Sequence, residues 1–541
     1  MSIYKACDIR GVVGKELDAP IARAIGKAVG TRLAVLELGE PAQRAASRAT
    51  CPVACPAASP GLPESLRLSR LSQPPGRPGS SSEAAAGTPA GRARRKVVVG
   101  GDVRTSTAEL KASLIEGLIE TGCQVFDIGL LPTPAFYYAK KLLSADAGVM
   151  VTASHNPPEF NGFKLSLGDW PVTEEDIREI ERIAREGGLI DGKSIDDGNS
   201  IDGIGEPGSV ERVDVLDSYI AFIKDLVGRL SSPRGLKVVV DAGNGTCSDI
   251  APGLFRDLGH QVVELYCEVD GRFPNRHPNP AIKEHLRDLA AKVVAEGADL
   301  GVAFDGDGDR VAFVTERGEV VETDKMIALF ARYCLSRYRA RGATGLGKVV
   351  YDIKCASMVP REIIKAGGQP IMERSGHAFI KTSLLRERAV MAGEISGHFF
   401  FEELGGDDGI YAGLLMAKVL AEGSLGNVKL GNLIDQFPPY FITPDLRIPY
   451  EGKSPGEKEA ILERIKEGNA GFEVSTLDGV RVQYPDGWGL VRISVTEPVL
   501  TLRFEGDTPE KLVEVVDRFL APVPEIKPLV RREVERRLGR V

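Results

Sequence analysis

Three short apolar runs along the chain share one pattern. Lys96-Val97-Val98-Val99 leads to Asp102, Lys237-Val238-Val239-Val240 to Asp241, and Lys348-Val349-Val350-Tyr351 to Asp352. Each is β-branched and ends at a turn, as a strand covered on both faces does. A helical stretch follows each run, and then a second strand introduced by Gly and Gln. These second strands begin Gly122-Cys123-Gln124-Val125, Gly259-His260-Gln261-Val262 and Gly367-Gly368-Gln369-Pro370. The Lys-to-Gln spacings of 28, 24 and 21 residues are the length of a strand-helix-strand crossover. The repeat predicts three related α/β domains with mixed sheets. The last hundred residues differ. Strands are expected at Phe472-Glu473-Val474, Val480-Arg481-Val482, Gly489-Leu490-Val491-Arg492 and Leu500-Thr501-Leu502-Arg503-Phe504, then a helix from about Thr508 to Leu520. That pattern is α+β. The expected boundaries are 1–205, 206–311, 312–432 and 433–541.

Residues 41–95 break the pattern. They hold nine prolines, no aromatic residue and almost no β-branched apolar residue, with eight arginines against two glutamates. Such a stretch buries too little apolar surface to offset its ordering entropy, so it reads as a disordered insert in the first domain. The remaining composition is globular: 43% hydrophobic and 27% charged. A net charge of -8 argues against non-specific nucleic-acid binding. No stretch approaches ~18 consecutive apolar residues, so no membrane span is expected. The beginning Met1-Ser2-Ile3-Tyr4-Lys5-Ala6-Cys7-Asp8 has no basic region before an apolar run. The eight cysteines are sparse and read as buried thiols of a cytoplasmic protein, with Cys51 and Cys55 incidental.

Five loops carry candidate chemistry. Ligands in open α/β sheets gather at the carboxyl ends of strands. There, Thr152-Ala153-Ser154-His155-Asn156-Pro157 suits a nucleophile or phosphate carrier, or a plain turn, with Lys164 close behind. Asp305-Gly306-Asp307-Gly308-Asp309-Arg310 concentrates three carboxylates between glycines, which suits Mg²⁺ or Ca²⁺ without the spacing of an EF-hand. In Gly393-Glu394-Ile395-Ser396-Gly397-His398, an acceptor and a hydroxyl two residues apart suit a sugar diol. Lys354 follows the third repeated strand, and His377 lies in the same unit. Arg492-Ile493-Ser494-Val495-Thr496 alternates a guanidinium with hydroxyls that can converge on one anion, or forms an exposed edge.

Together these loops resemble the α-D-phosphohexomutase superfamily over nearly the whole chain outside the insert. Asp8-Ile9-Arg10-Gly11, Asp352-Ile353-Lys354-Cys355, Asp407-Asp408-Gly409-Ile410-Tyr411, Asp478-Gly479-Val480-Arg481-Val482 and Asp486-Gly487-Trp488-Gly489 make it most similar to the bacterial phosphomannomutase/phosphoglucomutase branch. The resemblance implies four domains around a central cleft. It implies interconversion of hexose 1-phosphate and hexose 6-phosphate, of mannose and glucose, through a phosphoserine and a bisphosphorylated sugar. Ser154, His155, Lys164, Arg310, Lys354 and His398 would be catalytic. Arg10, His377, Glu394, Ser396, Arg492, Ser494 and Thr496 would bind substrate. Asp305, Asp307, Asp309 and the phosphorylated Ser154 would hold Mg²⁺, with hexose 1,6-bisphosphate as activator. The implied partners are hexose phosphates, with no nucleic acid and no membrane, in a monomer or homodimer. A phosphoglucosamine mutase, a metal-dependent sugar phosphatase and a non-catalytic sugar-phosphate binder are the competing readings. The chain departs from the family at Cys7, where Tyr is common, at Val495, where Asn is common, and at Gly101, where Arg is frequent.

Overall fold

The computed structural model describes residues 2–38, 94–186, 207–230, 235–426, 428–450, 456–493 and 499–537. Each repeated unit forms its pair of parallel strands, and the register follows the repeat. Lys96 lies opposite Gln124, Lys237 opposite Gln261, and Lys348 opposite Gln369. The aspartate at the end of each first strand, or just after it, closes the turn in the same way. Asp102 accepts the N–H of Arg104 at 3.0 Å, Asp241 that of Gly243 at 2.9 Å, and Asp352 that of Lys354 at 3.0 Å. A carboxylate that satisfies the backbone two residues on fixes where the chain leaves the sheet.

The first sheet runs in the order Ile9–Val12, Phe160–Leu167, Ala147–Val151, Lys96–Gly101, Gln124–Leu130 and Ser209–Arg212. The second runs Val311–Thr315, Leu300–Phe304, Lys237–Asp241 and Gln261–Leu265. The third runs Gly368–Glu373, Gly347–Asp352, Met391–Gly393, Phe399–Phe401 and Gly406–Asp407. In all three, antiparallel strands flank the parallel ones, so the sheets are mixed. The fourth sheet is antiparallel and contains every strand expected in the last hundred residues. Helix Pro509–Phe519 follows it, within the span expected.

The strand pairings move some expected boundaries. Ser209–Arg212 pairs with Gln124–Leu130, so the first sheet runs past residue 206. All four of its residues are exposed, and a solvated edge strand leaves no apolar alternation to read. Val311–Thr315 pairs with Leu300–Phe304, so the second sheet runs past residue 312. Helix Leu430–Ile434 straddles residue 433 and joins the core shared by the three repeated units. Arg95, assigned to the insert, is buried, donates to the Thr121 carbonyl at 2.7 Å, and accepts the N–H of Gln124. The rest of that segment up to residue 93, including Cys51 and Cys55, lies outside the described residues.

One apolar core runs through the three repeated units, joining Phe136, Tyr219, Val240, Phe304, Phe330 and Phe399. Helix Gly409–Ala421 lies inside it, with every residue but Lys418 buried. Its apolar sequence on all sides suits a helix with no solvent face. A second core covers the outer face of the first sheet. There, helices Ala19–Leu38 and Thr107–Glu120 cross so closely that a Cβ on Gly117 would lie 2.1 Å from the Arg23 carbonyl. The last domain has its own core around Leu502, Phe504 and Phe519. Among the described residues, no helix is long and apolar enough to cross a membrane. Cys123, Cys247 and Cys355 are buried, and the described cysteines are all free thiols.

Candidate active site

Strand Ala147–Val151 delivers the serine loop, and Leu300–Phe304 delivers the aspartate loop beside it. Ser154 is fully buried and has a backbone φ of 51°, a left-handed conformation that costs a non-glycine residue energy. Its N–H donates to Thr152 Oγ1 at 2.8 Å, and its Oγ donates to Asp305 Oδ2 at 2.7 Å. The Oγ also lies 3.3 Å from His155 Nδ1. Burial, then Arg310 and Arg10, push the His155 imidazole far below its ordinary pKa, so it is neutral.

Asp305, Asp307 and Asp309 are each 0% exposed, and one oxygen of each lies within 4.8 Å of the others. Gly308, at φ 78°, lets the chain curl so that its own N–H and that of Arg310 reach Asp305 Oδ1 at 2.9 and 3.2 Å. Asp307 Oδ2 accepts from Thr133 Oγ1 and from Lys164 Nζ, each at 2.7 Å, and lies 3.2 Å from Thr152 Oγ1. Lys164 also pairs with Asp309. Burial would lower the Lys164 pKa, but Asp307 and Asp309 outweigh it and carry the ammonium well above its usual range. The carboxylates respond unequally. Burial, Asp307 and Asp309 all push Asp305 well up, whereas at Asp309 burial is outweighed by Lys164 and His398, and the carboxyl falls well below its usual range. The difference follows the cation, which sits on Asp307 and Asp309. Asp307 Oδ1 is buried with no hydrogen-bond partner, and Asp309 Oδ1 has the His398 ring nitrogen 3.3 Å away. An orphaned carboxylate oxygen in a dry triad fits a hard divalent cation with oxygen ligands.

The third sheet closes the site. Arg310 Nε lies 3.3 Å from His398 Nε2 and 3.8 Å from Asp305 Oδ2. His398 Nε2 is also 3.3 Å from Asp309, and its Nδ1 meets Ser396 Oγ at 2.8 Å and Glu394 Oε2 at 3.5 Å. Burial opposes charge on His398, but Asp309 prevails and raises its pKa to about 9. His398 is thus held charged while His155 is held neutral. His377 Nε2 is held at 2.8 Å by Asp407. A cavity of about 70 Å³ is lined by Arg10, Lys164, Arg310, His377, Lys381 and His398 among others. Arg10 joins the serine loop through Asn156 Oδ1 at 2.9 Å.

Direct contacts thus link Ser154, His155, Lys164, the three aspartates, Arg310, Glu394, Ser396 and His398. Two expected site residues have other partners. Lys354 pairs with Asp445 at 2.6 Å, and Arg492 with Asp478 at 2.9 Å. Ser494, Val495 and Thr496 lie outside the described residues. Cys7 lines the cavity, and its thiol is pushed up to about 12 by burial and by Asp8. Glycine at 101 has a local cause: a Cβ there would lie 2.4 Å from the Thr107 methyl. The expected site omits Thr133, Thr152 and Asp407, all in contact with it. Thr133 opens helix Thr133–Leu142 beside Pro132 and Pro134, and that start is the only trace it leaves in the sequence.

Four family profiles match the chain in order. They describe the phosphoglucomutase/phosphomannomutase alpha/beta/alpha domains I, II and III and the C-terminal domain, at residues 82–190, 217–318, 322–440 and 446–521. A phosphomannomutase/phosphoglucomutase of Pseudomonas aeruginosa is 39% identical over 526 residues, covering 96% of this chain and 94% of that protein. A phosphoglucomutase of Neisseria gonorrhoeae is 34% identical, covering 96% of each. The crystal structure of a phosphoglucomutase/phosphomannomutase family protein from Burkholderia thailandensis superposes with a TM-score of 0.76 at 34% identity. It covers 97% of this chain and 98% of its own.

Proposed function

Because the chain belongs to the phosphoglucomutase/phosphomannomutase family, isomerases that move a phosphoryl group within a hexose phosphate, we propose that Ser154 is the residue that carries that group. The observation that carries this reading is the 2.7 Å hydrogen bond from Ser154 Oγ to Asp305, inside a buried aspartate triad in which Asp307 Oδ1 has no partner. Phosphorylated Ser154 gives its phosphoryl group to the free hydroxyl of a hexose 1-phosphate. The resulting hexose 1,6-bisphosphate turns round, and its other phosphate returns to Ser154. Asp305, Asp307 and Asp309 would hold Mg²⁺, which would supply positive charge to the phosphoryl oxygens.

The remaining work belongs to side chains. Lys164 and Arg310 offset charge on the moving group, since phosphoryl transfer relies on positioning and electrostatics. His398 Nε2, 3.3 Å from Asp309, and His155 Nδ1, 3.3 Å from Ser154 Oγ, are the ring nitrogens placed to move protons. Glu394 and Ser396, both beside the His398 ring, bind the sugar 3- and 4-hydroxyls. Arg10, His377 and Lys354 line the cleft around the sugar phosphate. Arg492, Ser494 and Thr496 hold the phosphate that is not reacting.

Glucose and mannose share the 3- and 4-hydroxyls and differ at the 2-hydroxyl, for which none of the residues assigned above is a dedicated acceptor. An unread position discriminates weakly. A coupled assay is therefore expected to find both hexose 1-phosphates converted, with kcat/KM within roughly tenfold, or ~1.4 kcal/mol. Galactose 1-phosphate, with its 4-hydroxyl inverted, should fail. Release of inorganic phosphate in place of isomerisation would overturn the reading in favour of a phosphatase.

A further inference from the structure

Arg104 has no place in the chemistry above, yet its side chain is fully buried and every part of its guanidinium is engaged. Nε donates to Asp102 Oδ2 at 3.1 Å. One terminal nitrogen donates to the carbonyls of Pro157 and Phe160 at 2.6 and 2.9 Å, and the other to those of Ser154 and Asn156 at 2.9 and 2.7 Å. Four carbonyls of one loop thus converge on one cation. Only arginine offers five donors in a rigid plane; lysine offers three on a point charge.

The contacts form a closed circuit through the serine. The carbonyl of Ser154 is held by Arg104, and its N–H by Thr152 Oγ1. Both holders end on one carboxylate, since Thr152 Oγ1 donates to Asp102 at 2.7 Å and Arg104 pairs with it. The N–H of Arg104 and Thr107 Oγ1, at 3.0 and 2.8 Å, fix Asp102 in turn. Both peptide groups of Ser154 are therefore clamped, at the residue whose φ of 51° is strained. The second unit presses on the same clamp. The Phe273 ring lies 5.0 Å from the guanidinium carbon, and a Cβ on Gly271 would come within 2.1 Å of the Val103 carbonyl. A Cβ on Gly306, between the metal-loop aspartates, would come within 2.5 Å of the Ser154 carbonyl.

We propose that Arg104, anchored by Asp102, is the positioning residue that holds Ser154 Oγ against the aspartate triad for phosphoryl transfer. The inference rests on Ser154 being the phosphoryl carrier. Small losses of alignment cost large factors in rate when the reaction is positioned by fixed groups.

The test is Arg104→Lys. The variant enzyme is phosphorylated with glucose 1,6-bisphosphate, and transfer to glucose 1-phosphate is followed by rapid quench and intact mass. The rate is counted per phosphoserine, so that a smaller folded fraction cannot imitate the effect. We expect that rate and kcat to fall at least ~10-fold while KM changes by less than ~threefold, the mark of an interaction used in the transition state. Should the lysine variant not accumulate as folded protein, Asp102→Asn carries the test with the same expected split. An unchanged rate per phosphoserine, whatever the melting temperature, makes Arg104 a strut of the fold and overturns the proposal alone. A wild type that isomerises without phosphorylation at Ser154 overturns the carrier reading, and this proposal with it.

Discussion

Ser154 combines a left-handed backbone, complete burial and a hydroxyl bonded to a carboxylate. Ser154→Ala keeps the backbone clamps and removes only the Oγ, so the fold should stand while turnover drops at least ~10²-fold. Near wild-type turnover in the steady-state assay would remove Ser154 from the mechanism. The aspartate triad makes a second prediction. Asp305 is pushed up by burial, Asp307 and Asp309, so Asp305→Asn relieves crowding that a cation otherwise relieves. In excess chelator the variant should melt no lower than wild type, yet gain little on adding Mg²⁺, because ligand-linked stabilisation follows affinity. Wild-type activity surviving the chelator would contradict the metal assignment outright. Most of this cluster was legible in the sequence, because alternating Asp and Gly after a buried strand, and a Ser beside His and Asn, carry local signatures. The roles of Arg104, Thr133 and Asp407 were not. Each works through partners far along the chain, such as the carbonyls near residue 157 or the ring of His377, and no short motif encodes such pairs.

At the scale of elements, the recurrent Lys-to-Gln unit was readable, because its first strand is a β-branched run buried on both faces. Its register was recoverable too, since the repeated residues are the ones that pair. The exposed strand Ser209–Arg212 and the short strand Gly406–Asp407 had no such pattern, and both joined sheets unannounced. The second matters to the site, because Asp407 ends it and Asp408 caps the buried helix Gly409–Ala421. Asp408 accepts the N–H of Tyr411 and the hydroxyl of Tyr219, each at 2.8 Å. Burial raises its carboxyl pKa to about 7. The folded protein therefore binds this proton more tightly than the unfolded chain, whose pKa is about 3.9. Its contribution to stability is complete below about pH 4, declines as pH rises toward 7, and is lost above. Asparagine keeps the cap without the charge. Asp408→Asn should thus match wild type in denaturant titrations at pH 4 and exceed it at pH 8. A variant less stable at both values would show that the negative charge is wanted at the helix terminus.

At the scale of the molecule, the cores divide where the repeat does not. Three units share one apolar core, and the buried helix Gly409–Ala421 lies within it, so these units should unfold together. The last domain owns a separate core, and a small apolar patch of Ile353, Trp488 and Leu490 joins it to the third unit. Polar ties supplement that patch: Lys354 to Asp445, and the Ser357 N–H to Glu505 at 2.8 Å. An interface so small beside the two cores lets the last domain unfold on its own. Calorimetry should resolve two transitions. Leu502→Ala, in the last domain's core, removes a fully buried side chain at a cost of about 3 kcal/mol. It should lower one transition by on the order of 10 °C and leave the other in place. A single transition that moves as a whole would mean that the patch couples all four units. The division bears on the reaction. Ser154 and the aspartates belong to the shared core's assembly, whereas Arg492 belongs to the last domain. A hexose bisphosphate bound to both should raise both melting temperatures, while Mg²⁺ alone should raise only that of the three-unit assembly.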